Sequence, residues 1–330
     1  MVVGRTICDA VRELSLIVPK RLFFAQNREI LFGEKLARKG LREVIDYFDR
    51  SVDIRKLAYV MVVRGKMIDA LDVPNPHETC PALRIDALMR EQWQANHFPP
   101  VNLGDFLGLM ATEGQEAYCA VVRVERNPTF TLVPRKPFNP APEPYLDVKI
   151  GGAALFRDDK LAGYLNEHET RGLLWTQGKV QGGHLEVPCP HKKGTYVSLN
   201  ILRSKAQIMP EITRDGRLRV TVKIQEEANL AETDCPIDIG KVETIKRIEA
   251  LQAKAIEQEV RSAVERAQEY RSDAFGFGAA FHRRYPREWR AMRDLWAEEY
   301  FPAVEVKVIA DAKIRRTGLR MGPVLRKEVR

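Results

Sequence analysis

Residues 195–225 read TYVSLNILRSKAQIMPEITRDGRLRVTVKIQ. Val197, Leu199 and Ile201 alternate with Ser198, Asn200 and Leu202, and Val220, Val222 and Ile224 alternate with Thr221, Lys223 and Gln225. Side chains on a strand point to opposite faces with a period of two, so both segments predict strands with one buried face. Arg214-Asp215-Gly216-Arg217 joins them, and Asp-Gly is the dipeptide that a tight hairpin turn demands. A shorter strand candidate at 183–187 precedes them, which gives an antiparallel meander.

The chain beyond the meander turns helical. From 239 to 271, Val242, Ile245, Ile248, Leu251, Ala255, Val260, Ala263 and Ala267 form an apolar stripe with charges of both signs opposite, the pattern of a helix laid on a core. Pro286 opens a second helix, where proline is tolerated in the first turn. Trp289, Met292, Leu295, Trp296 and Phe301 face inward from it, and Val304, Val306 and Val308 predict a last strand. The order predicts an α+β fold: mixed and antiparallel sheets with helices packed on one face. Its C-terminal domain is a ββββ-like meander followed by a long helix, a tryptophan helix and a last strand.

Upstream, Asp158-Asp159 marks a turn after a strand at 152–156, and a helix follows from Asn166. Asn166 with Glu169 three residues later is a capping-box pattern, and Gly172 and Gly178 punctuate the end. Prolines 128, 134, 137, 140, 142 and 144 fall within nineteen residues, 127–145, and favour an extended linker over any helix or central strand. Before the linker the pattern predicts helices at 4–16, 33–48, 82–93 and 103–111. Strands are predicted at 21–25, 29–32, 57–63 and 117–124. The domain boundaries that follow are 1–126, a linker at 127–147, a small middle domain at 148–178, a C-terminal domain at 179–318 and a basic tail at 319–330.

A chain of 330 residues is long enough for two or three cores, and 45% hydrophobic with 30% charged residues is ordinary for a globular protein. No segment approaches the roughly 20 apolar residues of a membrane helix, and the first thirty residues hold no secretory apolar core. Alone, the chain reads as soluble. The net charge is +8, and Lys313 to Arg330 hold seven basic residues and one acid, so only +2 belongs to the rest. That tail has no interleaved aromatic platform, which argues against nucleic acid as a partner. Cys8, Cys80, Cys119, Cys189 and Cys235 are odd in number and show no Cys-x-x-Cys spacing, so they read as small, partly buried thiols.

Few residues suggest chemistry. His184, Cys189 and His191 are near one another, but their spacing fits no zinc pattern. His168-Glu169 lacks the second histidine of a zinc-peptidase helix. No nucleophile–base pair stands out, so no catalytic residue, metal or cofactor is expected. Ser272-Asp273-Ala274-Phe275-Gly276-Phe277-Gly278 has no strand before it and no Gly-Lys-Ser/Thr ending, so it is not a phosphate loop. Its glycines suit a tight backbone approach, with the phenylalanines plugging a helix–sheet interface. The functional alternative is an exposed aromatic loop. Asp273 with Arg283 or Arg284 would make a buried ion pair. The candidate interaction surface is therefore Phe275 and Phe277, with Lys313, Arg315 and Arg316 of the basic end.

Three blocks in order give a resemblance across nearly the whole chain. They are Asn27 to Gly40 with Asp49-Arg50, Asp53 and Arg55; Ala153 to Leu165 continued by Glu169-Thr170-Arg171-Gly172-Leu173-Leu174-Trp175; and the Phe-Gly-Phe-Gly stretch with its two tryptophans. The chain resembles the C-subunit family of spore germinant receptors, the Ger(x)C lipoproteins. The expected role is a non-enzymatic assembly and coupling scaffold; the resemblance implies a receptor subunit in spore germination but not its biochemical step. It implies A and B subunits of a nutrient receptor as partners and a place on the outer face of the inner spore membrane. There such proteins are held by a lipid-modified (palmitate-bearing) cysteine. The family's signal peptide, that cysteine and a first strand or two would precede the point where this sequence starts. Without them the 57–63 region would present an open sheet edge, and the N-terminal domain would reorder or self-associate. The alternative function is a ligand-binding module for a germinant or cell-wall fragment, which needs a pocket with convergent polar groups.

Overall fold

The computed structural model describes the chain except residues 1, 21, 74–79, 92–94, 128–144, 191, 236 and 318–330. Most of the expected linker and all of the 319–330 tail thus lie outside the described residues. Contacts divide the chain into two compact units: residues 1–91, 100–112 and 116–164, and residues 92–99, 113–115 and 165–330.

The first unit begins with α1 (Ile7–Ile17), whose Thr6 cap accepts a hydrogen bond from the Asp9 amide at 3.1 Å. It continues through β1 (Glu29–Gly33), α2 (Glu34–Lys39), α3 (Arg42–Arg50), β2 (Tyr59–Val63), α4 (Met67–Leu71), α5 (Pro81–Glu91) and α6 (Leu103–Ala111). It ends in β3 (Tyr118–Asn127), β4 (Tyr145–Arg157) and β5 (Lys160–Leu165). The sheet order is β1-β2-β3-β4-β5. The first two pairings are parallel, with Ile30 beside Val60 and Met61 beside Ala120, and β3–β4 is antiparallel. Val60, Met61, Val62 and Val63 are fully buried, as the unbroken apolar run requires of a strand covered on both faces. Phe106 of α6 meets Phe156 of β4 edge-to-face at 5.2 Å.

Three expectations change here. The helix expected at 33–48 is two helices, because Gly40 sits at φ +131° and a Cβ there would lie 2.6 Å from the Asp159 carboxylate. The strand expected at 21–25 does not form among the described residues. The open edge expected at 57–63 is absent too: β2 lies between β1 and β3, and the edge strand is β1. Residues 148–178 are divided between the units, with β4 and β5 in the first sheet and the following helix in the second unit.

The second unit contains α7 (Glu167–Thr176), β6 (His184–Pro188), β7 (Tyr196–Ile212), β8 (Leu218–Thr233) and α8 (Val242–Glu269). α9 (Phe277–Arg284) and α10 (Pro286–Met292) follow, then a 3-10 turn (Arg293–Leu295), a wide π turn (Trp296–Tyr300), α11 (Phe301–Ala303) and β9 (Glu305–Arg316). The sheet order is β6-β7-β8-β9, antiparallel except for β8–β9, where Val220 pairs with Val306 and Val222 with Val308 in parallel. A parallel pair needs a crossover of a dozen residues or more, and the helices after β8 supply it. Three strands therefore precede the long helix, and β9 is the fourth. At the hairpin, Gly216 takes φ +80° and the Thr213 amide donates to the Arg217 carbonyl at 2.9 Å.

Ile248, Ile256, Val260, Ala263 and Ala267 are the buried stripe of α8. Two acids on the same helix serve the edge of the sheet: Glu257 accepts from the Ala310 amide at 3.1 Å and Glu249 from the Ile314 amide at 3.0 Å. They satisfy outward main-chain donors that an edge strand otherwise leaves open.

The thiol expectation is corrected at two positions. Cys189 and Cys235 form a disulfide with Cα atoms 5.5 Å apart, while Cys8, Cys80 and Cys119 are free. β6 and β8 flank β7 from either side, and their C-terminal ends, Pro188 and Thr233, lie against the first residues of β7. The residues just past both ends therefore meet, although 46 positions separate them in sequence.

Candidate interaction surface

The turn from Ser272 to Gly278 is built around one carboxylate. Asp273 is buried and accepts from the main-chain amides of Gly276 at 2.9 Å, Phe277 at 3.1 Å and Gly278 at 2.7 Å. The indole N–H of Trp296 is a fourth donor at 3.0 Å. The three amides open α9, where helical N–H groups have no partner of their own and an anion is favoured. Burial pushes the carboxyl up to about 6, and the amide and indole donors pull against that rise. The ion pair expected with Arg283 or Arg284 does not form. Both arginines are exposed, and Asp273 spends its oxygens on N–H donors.

The glycines follow from the same geometry. Gly276 holds φ +75°, the left-handed region that side chains disfavour. At Gly278 a Cβ would lie 2.7 Å from both the Gly114 carbonyl oxygen and the Trp296 indole nitrogen. The Gly114 carbonyl also accepts from the Ala279 amide at 2.8 Å.

Phe275 and Phe277 stack at 5.1 Å and are 3% and 0% exposed. Their burial fits the reading of the phenylalanines as a packing plug and not the alternative of an exposed aromatic loop, so neither forms part of an exposed interaction surface. Trp289 and Trp296 lie 5.2 Å apart, Phe281 packs 5.6 Å from Trp296, and the Trp289 indole donates to Glu113 at 2.8 Å.

The basic residues lie elsewhere, on β9. Lys313 is half exposed and held by Asp311 at 3.2 Å and Glu249 at 3.7 Å. Arg315 is half exposed and bonds Glu227 at 2.8 Å, the acid that Arg203 also holds at 2.8 Å. Arg316 is exposed at the strand end. Exposed pairs of this kind add little stability, but they offset much of the charge of this end. The structure therefore does not join the phenylalanines and the basic residues into one surface.

A second cluster was not legible in sequence. Arg171 of α7 forms a two-pronged pair with Glu259 of α8, through Nε at 2.8 Å and through Nη2, while its Nη1 donates to the His184 carbonyl at 2.9 Å. The Trp175 indole donates to the same Glu259 at 2.9 Å. Gly172 sits between them, and a Cβ there would lie 2.2 Å from the Glu259 carbonyl oxygen. A glycine inside a helix was the available signal, since it marks a close backbone crossing as well as a helix end. The second sequence block thus clamps α7 onto α8.

Neither cluster has the form of a reaction centre. Cys189 is disulfide-bonded and cannot ligate a metal as thiolate, His184 is exposed on β6, and His191 lies outside the described residues. Among the described residues no group of three or more His, Cys, Asp or Glu is placed to hold a metal ion.

Comparison with known proteins identifies the architecture. Residues 1–124 match the family described as spore germination protein N-terminal domain, and residues 151–318 match spore germination B3/GerAC-like, C-terminal. The chain belongs to the GerAC-like spore germination family. It is 27% identical to spore germination protein KC of Bacillus subtilis (strain 168), over 97% of this chain and 79% of that one. It is 24% identical to spore germination protein B3 of the same organism, over 96% and 79%. The crystal structure of the GerBC protein superposes with a TM-score of 0.67 at 23% identity, covering 93% of this chain and 84% of that chain. That likeness shows the shared GerAC-type fold. Among the described residues no helix is long and apolar enough to cross a membrane.

Proposed function

We propose that this chain is the non-enzymatic C subunit of a spore germinant receptor, an assembly and coupling scaffold beside the A and B subunits. The observation that carries the reading is the use to which the family's signature residues are put. Asp273 and Trp296 spend their polar atoms on each other and on the backbone, and Arg171 and Trp175 spend theirs on Glu259 and the His184 carbonyl. Residues fixed in this way make a stiff body suited to holding partners in register.

The Cys189–Cys235 disulfide supports an extracytoplasmic site, because such bonds persist in oxidising compartments. That agrees with a position on the outer face of the inner spore membrane, held there by a lipid anchor. Affinity purification of the tagged full chain from detergent-solubilised spore membranes tests the reading. Co-recovery of the A and B subunits is expected. Their absence under conditions that keep A and B together would overturn it.

A further inference from the structure

Residues 282–293 read HRRYPREWRAMR: five arginines, one acid and no lysine. The inner face of this stretch is the packing described above, with Trp289 and Met292 buried beside Phe281 and Trp296. Its outer face is arginine. Arg283 and Arg284 end α9, Arg287 and Arg290 stand on α10, and Arg293 follows, all of them exposed. Residues three apart on a helix are neighbours. Arg287 and Arg290 therefore share one face of α10, while Trp289 and Met292 share the buried one.

Most of these cations are unmatched. Arg293 has acids near it, Asp294 at 3.4 Å and Glu113 at 4.0 Å. Among the described residues Arg283, Arg284, Arg287 and Arg290 form no ion pair. On β9, by contrast, Lys313 and Arg315 are each held by an acid. Helix energetics explain only part of the ridge. Cations are favoured in the last turn of a helix, which suits Arg283 and Arg284. Arg287 stands in the first turn of α10, where the helix dipole disfavours a cation. A side chain that breaks a local rule with no compensating contact points to function.

The composition favours a protein partner over a lipid surface. A plane of anionic headgroups attracts lysine and arginine alike. Protein interfaces enrich arginine and deplete lysine, and the guanidinium fork matches a carboxylate with two parallel bonds. Arg284 lies over the Tyr285 ring at 5.6 Å, which restrains it before any partner arrives. The buried tryptophans beneath hold both helices, so little order remains to be imposed on binding. We propose that the arginine ridge of α9 and α10 docks an acidic segment of a partner protein, whose Asp and Glu carboxylates meet Arg283, Arg284, Arg287 and Arg290. The proposal rests on the scaffold reading and deepens it, since it names the docking face and the chemistry of the partner.

The test replaces Ala291, exposed one turn beyond Arg287, by the photo-crosslinking residue p-benzoylphenylalanine in the tagged full chain in spores. Mass spectrometry then maps what is joined to it on irradiation. A partner segment with two or more acids is expected. Combining Arg287→Glu with Arg290→Glu should lower the yield at least about tenfold, with the thermal melt unchanged. Arg287→Gln with Arg290→Gln should act in the same direction, and it decides if the reversed pair unfolds. Arg316→Gln on β9 should leave the yield unchanged. No cross-link, a cross-link to lipid, one to a segment without acids, or a yield insensitive to both double variants would each overturn the proposal. If the A and B subunits co-purify but no cross-link forms, the proposal falls and the scaffold reading stands. A cross-link to an acidic segment of another protein, with neither subunit recovered, would do the reverse.

Discussion

Asp273 and Trp296, 23 residues apart, meet through a 3.0 Å hydrogen bond from the indole nitrogen to the carboxylate. That bond closes the turn before α9 against the turn after α10, and it joins the two ends of the most distinctive stretch of the sequence. Asp273→Ala would leave four buried N–H donors without an acceptor. A buried orphan donor costs about 1–3 kcal/mol, and the four share one site, so a loss of about 3–5 kcal/mol is expected. Urea unfolding measures it, and the near-ultraviolet signal of the tryptophan pair should change with it.

The same side chain gives a pH signature. The folded pKa of Asp273, about 6, lies above its ordinary value of 3.8. The folded state therefore holds the proton more tightly, and this contribution to stability is present below about pH 4. It is lost as pH rises toward about 6 and is flat above that. Glu226, buried beside Gln252 at 2.6 Å and raised to about 8, extends the trend to higher pH. Glu226→Gln should therefore be stabilising at pH 9 relative to the unaltered chain, by up to ~4 kcal/mol, and nearly neutral at pH 4. Denaturant titrations at the two pH values check the sign.

Gly172→Ala tests the α7–α8 clamp. Its methyl would meet the Glu259 carbonyl oxygen at 2.2 Å and the Ala263 side chain at 2.8 Å, so the helices must part. Forced overpacking of this kind costs about 1–3 kcal/mol. Arg171→Lys should also destabilise, because a single ammonium cannot reproduce the forked pair with Glu259. Thermal melts of both variants measure the effects.

Reducing the Cys189–Cys235 bond, or replacing both cysteines by serine, should cost about 2–4 kcal/mol. The loss should appear in a melt run with and without reductant. Replacing Cys8 and Cys80, which are free and exposed, should leave the melting temperature unchanged.

Much of the second unit was legible because its signals are local. Alternation marks β7 and β8, Asp-Gly marks their hairpin, and Pro286 opens α10 as its fixed backbone angle favours. The capping box at Asn166 is present in both directions, at 2.9 and 2.8 Å. What could not be read depends on distant partners. The pattern at 152–156 gives part of β4 its strand character but says nothing of β3, which receives it, and β5 was not legible as a strand. The disulfide depends on two strand ends meeting at the start of β7. Asp273 was matched to nearby arginines because opposite charge is visible in a sequence. The main-chain donors it bonds are not visible, since they appear only once Gly276 adopts its left-handed turn.

The central claim is that the signature residues stiffen a scaffold for other receptor subunits. Its most direct test is quantitative mass spectrometry of proteins co-purified from spore membranes with the full chain and with Asp273→Ala, at matched amounts of bait. The account predicts A and B subunits recovered with the unaltered chain and markedly depleted with the variant. Failure to recover either subunit with the unaltered chain, or equal recovery by both forms once Asp273→Ala is shown to loosen the tryptophan pair, would contradict it.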